Sequence, residues 1–139
     1  MGLQLHRREK QGIQILDLRG GLTIGESEAA LRTAIVTLAE ANILKIILNV
    51  AGVTEIDEDG ISTLDFCYAR VLRLGGFLKL LNLPPHLRLT VLEKLDTVFE
   101  VFSDEQDAVN SFFPGRAVRR YDILDWVEEH EEEAARDPG

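Results

Sequence analysis

Asp57, Glu58 and Asp59 stand side by side, followed by Gly60. Such a trio of carboxylates can move protons, hold Mg²⁺, or cap the free N–H groups of a helix start. Proton or metal chemistry would need a spaced base, nucleophile or further ligand, and none accompanies the trio. His6, His86 and His130 are far apart in the chain, and His130 lies in a glutamate run that reads as a solvated acidic face. Cys67 falls on the apolar stripe of a helical pattern, where a buried structural thiol is expected and not a nucleophile. Gly20-Gly21 with Thr23 and Gly25 hints at a phosphate loop. Yet the chain has no Gly-Lys-Ser/Thr and no Gly-x-Gly-x-x-Gly. The residues therefore assign no catalytic, cofactor-binding or metal-binding group, and the chain reads as a non-enzyme. At a helix start the acids also favour the macrodipole and cap backbone donors, each worth ~0.5–2 kcal/mol.

The elements around the trio follow from spacing. Leu3, Leu5, Ile13, Ile15, Leu16 and Leu18 predict a hairpin about Gln11-Gly12, with Gly20-Gly21 closing its second strand. Ala30, Leu31, Ala34, Ile35, Leu38 and Ala39 recur at helical spacing and predict a helix over 26–41. Residues 44–50 are too continuously apolar for an edge and predict a buried strand. A second helix is expected over 57–74, with Ile61, Leu64, Cys67, Tyr68, Val71 and Leu72 as its apolar face and Gly75-Gly76 as its stop. A strand over 77–81 follows. Pro84-Pro85 opens a third helix lined by Leu87, Val91 and Leu95. The reading continues with a short strand over 98–102. A last core helix runs to about residue 113, with Ser103 as N-cap and Gln106 as its reciprocal partner. Helices alternating with strands call for parallel neighbours and right-handed crossovers.

The expected domain spans 1–113, with Pro114-Gly115 as its boundary and 114–139 as an acidic, helical extension. Within the extension Ile123, Leu124 and Val127 share a helical face with Trp126 near its edge, so this amphipathic piece needs a surface to pack on. The body of the domain is the preferred surface, and a partner or second copy the alternative. The chain has 139 residues, 45% apolar, which suits one globular domain. Its net charge of -9 opposes nucleic acid and anionic membranes as partners. Arg116, Arg119 and Arg120 form the one basic cluster, read as a linker or docking contact. No run approaches the ~20 apolar residues of a membrane span. The first ten residues lack a signal-peptide pattern, so cytoplasm is the expected compartment.

The order of these elements resembles the STAS domain (sulfate transporter and anti-sigma factor antagonist) over about residues 3–113. The resemblance is carried by Ile15-Leu16-Asp17-Leu18-Arg19-Gly20, Ile46-Ile47-Leu48-Asn49-Val50, Ile56-Asp57-Glu58-Asp59-Gly60-Ile61 and Gly75-Gly76-Phe77-Leu78-Lys79-Leu80. It implies an α/β fold: a mixed sheet of about five strands with four to five helices, plus the C-terminal amphipathic helix. Bacterial antagonists of this family carry a loop like Asp-Ser-Ser-Gly or Asp-Ser-Ala-Gly. They bind an anti-sigma factor that is also a serine kinase, which phosphorylates the serine before the glycine and is then released. By this resemblance Asp57 matches the family's aspartate, Glu58 the variable position and Gly60 the glycine. Asp59 then stands in the phosphoacceptor's place, where no hydroxyl is available. The implied partner-binding loop comprises Thr54, Asp57, Glu58, Asp59, Gly60, Ser62 and Thr63. The implied function is partner switching with an anti-sigma factor, without a cofactor, and with homodimerisation left open. The alternative is an accessory or ligand-binding subunit of a transporter.

Overall fold

A computed structural model of the chain describes residues 2–94, 99–116, 118 and 121–122. Strand β1 (Gln4–Lys10) turns through Gln11 and Gly12, both at positive φ, into β2 (Ile13–Leu22). That left-handed pair matches the twist of a two-residue hairpin. Helix α1 (Glu26–Glu40) leads to β3 (Lys45–Ile56), α2 (Glu58–Arg73) and β4 (Phe77–Leu81). A single 3₁₀ turn (Pro85–Leu87) precedes α3 (Arg88–Lys94). Then come β5 (Glu100–Phe102), α4 (Glu105–Asn110) and a two-residue strand, β6 (Tyr121–Asp122).

The strands lie in the order in which they occur, β1 to β6. The hairpin β1–β2 and the pair β5–β6 are antiparallel, and β2 through β5 are parallel. Alternation along each strand sorts the side chains onto two faces. On one, Leu16, Leu18, Ile46, Leu48, Leu78 and Leu80 pack beneath α1, α2 and α3 through Leu31, Ile35, Leu64, Cys67 and Val91. On the other, Ile13, Ile15, Ile47, Leu81 and Phe102 meet Ala108 and Val109 of α4. The mixed sheet with four helices is the expected fold.

Several expected details differ. Gly20-Gly21 does not close β2; register shifts at this point let the strand run on to Leu22. Such bulges absorb glycine without ending the ladder. Strand β3 likewise continues past Val50 to Ile56, paired with that extension. Leu72 is not on the apolar face of α2 and lies 47% exposed. Asp104, not Ser103, caps α4, accepting from the Asp107 N–H at 2.9 Å. Gln106 bonds Asn110 instead of reaching back, and the helix ends at Asn110. Leu95, Val98 and the C-terminal amphipathic helix fall outside the described residues.

A polar network fastens α4 to the sheet. Arg8 on β1 donates to both carboxylate oxygens of Asp17, at 2.7 and 3.1 Å, and to Glu105 of α4 at 3.1 Å. Asn49 on β3 donates to Asp17 at 2.8 Å, and Lys10 reaches Glu105 at 3.4 Å. The hydrogen bond from Arg8 holds the Glu105 carboxyl below its ordinary range. Burial pushes Asp17 the other way, but the bonds from Arg8 and Asn49 outweigh it and its pKa is also lowered. Two depressed carboxylates contribute stability above the unfolded carboxylate range, lost as pH falls through their folded values. Arg8→Leu is therefore expected to cost about 1–3 kcal/mol at neutral pH. Urea unfolding should show that cost shrinking once the solution is acidic enough to protonate both carboxylates. An equal cost at both pH values would contradict this account.

Candidate functional site

The acidic trio lies where β3 hands over to α2. Asp57 is the N-cap of α2: its Oδ1 accepts from the Gly60 N–H at 2.8 Å. Its Oδ2 accepts from the Ile24 N–H at 2.9 Å, in the loop between β2 and α1. Its own N–H donates to the Leu22 carbonyl at 3.3 Å. One residue thus joins the end of β2, the next loop and the start of α2. The N–H of Ile24 first, and that of Gly60 second, hold its carboxyl below the ordinary range.

Gly60 is buried against the same strand end. A methyl group at its Cβ position would collide with the Leu22 carbonyl oxygen and crowd Ile56. The close approach that this glycine permits is internal, between α2 and β2, and not to a partner.

Glu58, Asp59 and Ser62 are exposed. Asp59, Ser62 and Phe66 follow one another at three- and four-residue spacing, so they form one outward stripe of α2. Phe66 is 40% exposed and carries the Arg32 guanidinium 5.5 Å from its ring centre; Arg32 also pairs with Glu28. Ile24, held to Asp57 through its backbone, leaves its side chain 70% exposed. The acid Asp59 and the hydroxyl of Ser62 near the start of α2, the Phe66 ring midway along it and the aliphatic Ile24 of the preceding loop are therefore all exposed. This mixture suits protein contact better than chemistry.

The loop residues expected from sequence do not all share this surface. Thr63 points inward and is fully buried, its hydroxyl without a partner among the described residues. It leaves the exposed set, because helical phase aligns it with Gly60 and Cys67. Thr54 is exposed but lies on β3, where its carbonyl accepts from His86 Nε2 at 2.9 Å. Sequence reasoning missed Ile24, Arg32 and Phe66. The available signal was Phe66, an aromatic residue out of phase with the apolar face of α2. Burial pushes the Cys67 thiol up to about 12, which suits an inert core residue. Among the described residues no cluster of His, Cys, Asp or Glu could hold a metal ion, and no helix is long and apolar enough to cross a membrane.

Two substitutions separate support from surface. Gly60→Ala should destabilise by about 2–3 kcal/mol, because backbone must shift to admit the methyl. Thr63→Val should be neutral or stabilising by up to about 1 kcal/mol, since it removes an unpaired buried hydroxyl. Denaturant unfolding checks both, and a costly Thr63→Val would give its hydroxyl a role that the geometry does not.

A family model described as STAS domain matches residues 4–108. Comparison with curated protein sequences found no match. Among solved structures, the chain is similar to the anti-sigma factor antagonist SpoIIAA in its unphosphorylated form. The two share 19% identity and a TM-score of 0.60 over 81% of this chain and 99% of that one. A putative anti-sigma factor antagonist from Thermotoga maritima gives 18% identity and a TM-score of 0.65, over 77% and 92%. Murine Solute Carrier 26 family member A9, an anion transporter in its inward-facing state, gives 19% and 0.56, over 73% of this chain and 18% of that one. At such identities these structures establish a common fold. The family model spans most of the chain, and the protein belongs to the STAS domain family.

Proposed function

We propose that this protein is a cytoplasmic anti-sigma factor antagonist that works by partner switching. The observation carrying this reading is the exposed stripe Asp59–Ser62–Phe66 beside Ile24, presented by a helix start that Asp57 fixes in place. An anti-sigma factor of the serine-kinase type docks there, and the sigma factor it held is freed for transcription. The similarity to anti-sigma factor antagonists supports this partner class.

Asp59 takes the phosphoacceptor position. A carboxylate has no hydroxyl to accept a phosphoryl group. It carries about one negative charge where phosphoserine carries ~1.5–2, and it lacks the third acceptor oxygen. The kinase therefore cannot switch this antagonist off at residue 59, while the fixed charge leaves the antagonist a weakened, constitutive binder. Ser62 keeps an exposed hydroxyl one turn along the helix, whereas Thr63 offers none in the folded state.

Capture with the native chain, Asp59→Ser and Asp59→Ala tests the reading. Both variants should retain more of the anti-sigma kinase than the native protein. Added ATP should release Asp59→Ser alone. Equal retention by all three chains defeats the charge-mimic account. Recovery of transporter subunits instead of a kinase would favour the accessory role that other members of the family fill.

A further inference from the structure

The outward stripe of α2 does not stop at Phe66. Asp59, Ser62, Phe66, Ala69 and Arg73 are all exposed, at three- and four-residue spacing, so the stripe runs from the first turn of the helix to the last. Phe66, 40% exposed, stands near the midpoint.

Charge is divided between the two ends. Glu58 and Asp59 occupy the first turn, and Arg70 and Arg73 the last. The helix cannot pair these ends with one another. Three and four residues after Asp59 stand Ser62 and Thr63; three and four before Arg73 stand Arg70 and Ala69. Asp59, Arg70 and Arg73 accordingly have no ion pair or side-chain hydrogen bond among the described residues. Asp65, the acid in the middle, is half-buried on the flank and already engaged. Arg32, above the Phe66 ring, is paired with Glu28 and so adds no unbalanced charge at the centre.

A stripe that is acidic at one end, basic at the other and aromatic in the middle is complementary to itself. Asp59 and Arg73 lie equally far from Phe66 along the chain, as do Ser62 and Arg70. A two-fold axis through Phe66 therefore sets Asp59 of one copy against Arg73 of the other, with Arg70 within reach, and brings the two Phe66 rings together. An isologous contact requires this match of a surface with its own rotated copy. Antiparallel helices also bring opposite ends of their macrodipoles together, whereas a parallel pair would set like charges face to face. At the usual spacing of packed helices, about 8–10 Å between axes, two central rings come within stacking range.

We propose that α2 is the contact of a homodimer, in which two copies of this chain pack antiparallel about Phe66. The contact is one helix wide, so the dimer is weak and reversible. Its existence does not depend on the proposed function. One consequence does rest on that reading: the second copy covers the docking stripe, and an anti-sigma factor must displace it.

Sedimentation equilibrium of the full chain, with no other protein present, tests the dimer separately from capture of a kinase. The native chain should associate reversibly, half complete on the order of 0.1 mM. Asp59→Lys and Arg73→Asp each set like charges against one another, and each should raise the dissociation constant about tenfold or more. Mixed in equal amounts, these two chains complement one another at both ends, and association should return. Phe66→Ser should abolish it. All three positions are exposed, and far-UV circular dichroism checks that each variant is folded. A native chain that stays monomeric up to about 1 mM overturns the proposal. Charge variants that associate as the native chain does overturn it too, because the contact then lies elsewhere. A mixture no more associated than its components overturns the antiparallel pairing and the proposal with it.

Discussion

The Asp57 carboxylate, shared between the N–H groups of Ile24 and Gly60, sets how α2 meets the end of β2. Each bond satisfies a donor that would otherwise face the gap between two backbone segments. The Leu22 carbonyl receives the Asp57 N–H in return. That exchange brings the first turn of α2 so near the strand that only glycine fits at residue 60. The outward stripe of α2 inherits its position from this joint. Asp59, Ser62 and Phe66 face solvent because Gly60, Ile61, Thr63, Leu64, Cys67 and Val71 are held inward. A loosened joint would turn the helix and move every residue of that stripe together.

This division of labour explains why adjacent residues in the acidic trio have unlike roles. Asp57 is a structural acid whose lowered pKa records the backbone donors it satisfies. Asp59 is exposed within the first turn of the same helix. The positive end of the helix favours both, yet only the second is available to another molecule. Under the proposed function, a substitution at Asp57 would change binding through geometry, and one at Asp59 through charge. The sign of a change in affinity at Asp59 can be read directly only while Asp57 stays intact.

Much of the fold could be read from spacing. β4 is bounded by Gly75-Gly76 and by a loop leading to Pro84-Pro85, so its limits are legible. The ends of β2 and β3 were not legible. Glycines at 20, 21 and 52 look like breaks, and a bulged pairing is a property of two strands that neither sequence states alone. The reason for Gly60 is hidden similarly, because the obstructing atom belongs to Leu22, remote in the chain. Asp104 displaced Ser103 as the cap of α4 because both residues can cap, and only the position of the backbone turn decides between them. At the site, the family resemblance placed Thr63 in the partner-binding loop. The helical phase shared with Gly60 and Cys67 contained the contrary information.

The two ends of the sheet solve different problems with the same elements. At the C-terminal ends of the parallel strands, backbone donors and a helix start concentrate polarity, and the exposed side chains are few and mixed. At the opposite end, the C-cap of α2 exposes Leu74 and the start of β4 exposes Phe77, whose ring lies beside Phe112 in a wall that also holds Lys45 and the Lys79–Glu100 pair. An exposed ring on a fixed floor gains by being covered, at about 25 cal/mol for each Å² of apolar surface removed from water. The pole carrying Asp59 differs in kind: there the Asp57 carboxylate already satisfies the backbone donors of Ile24 and Gly60, and the charge left exposed is that of Glu58 and Asp59.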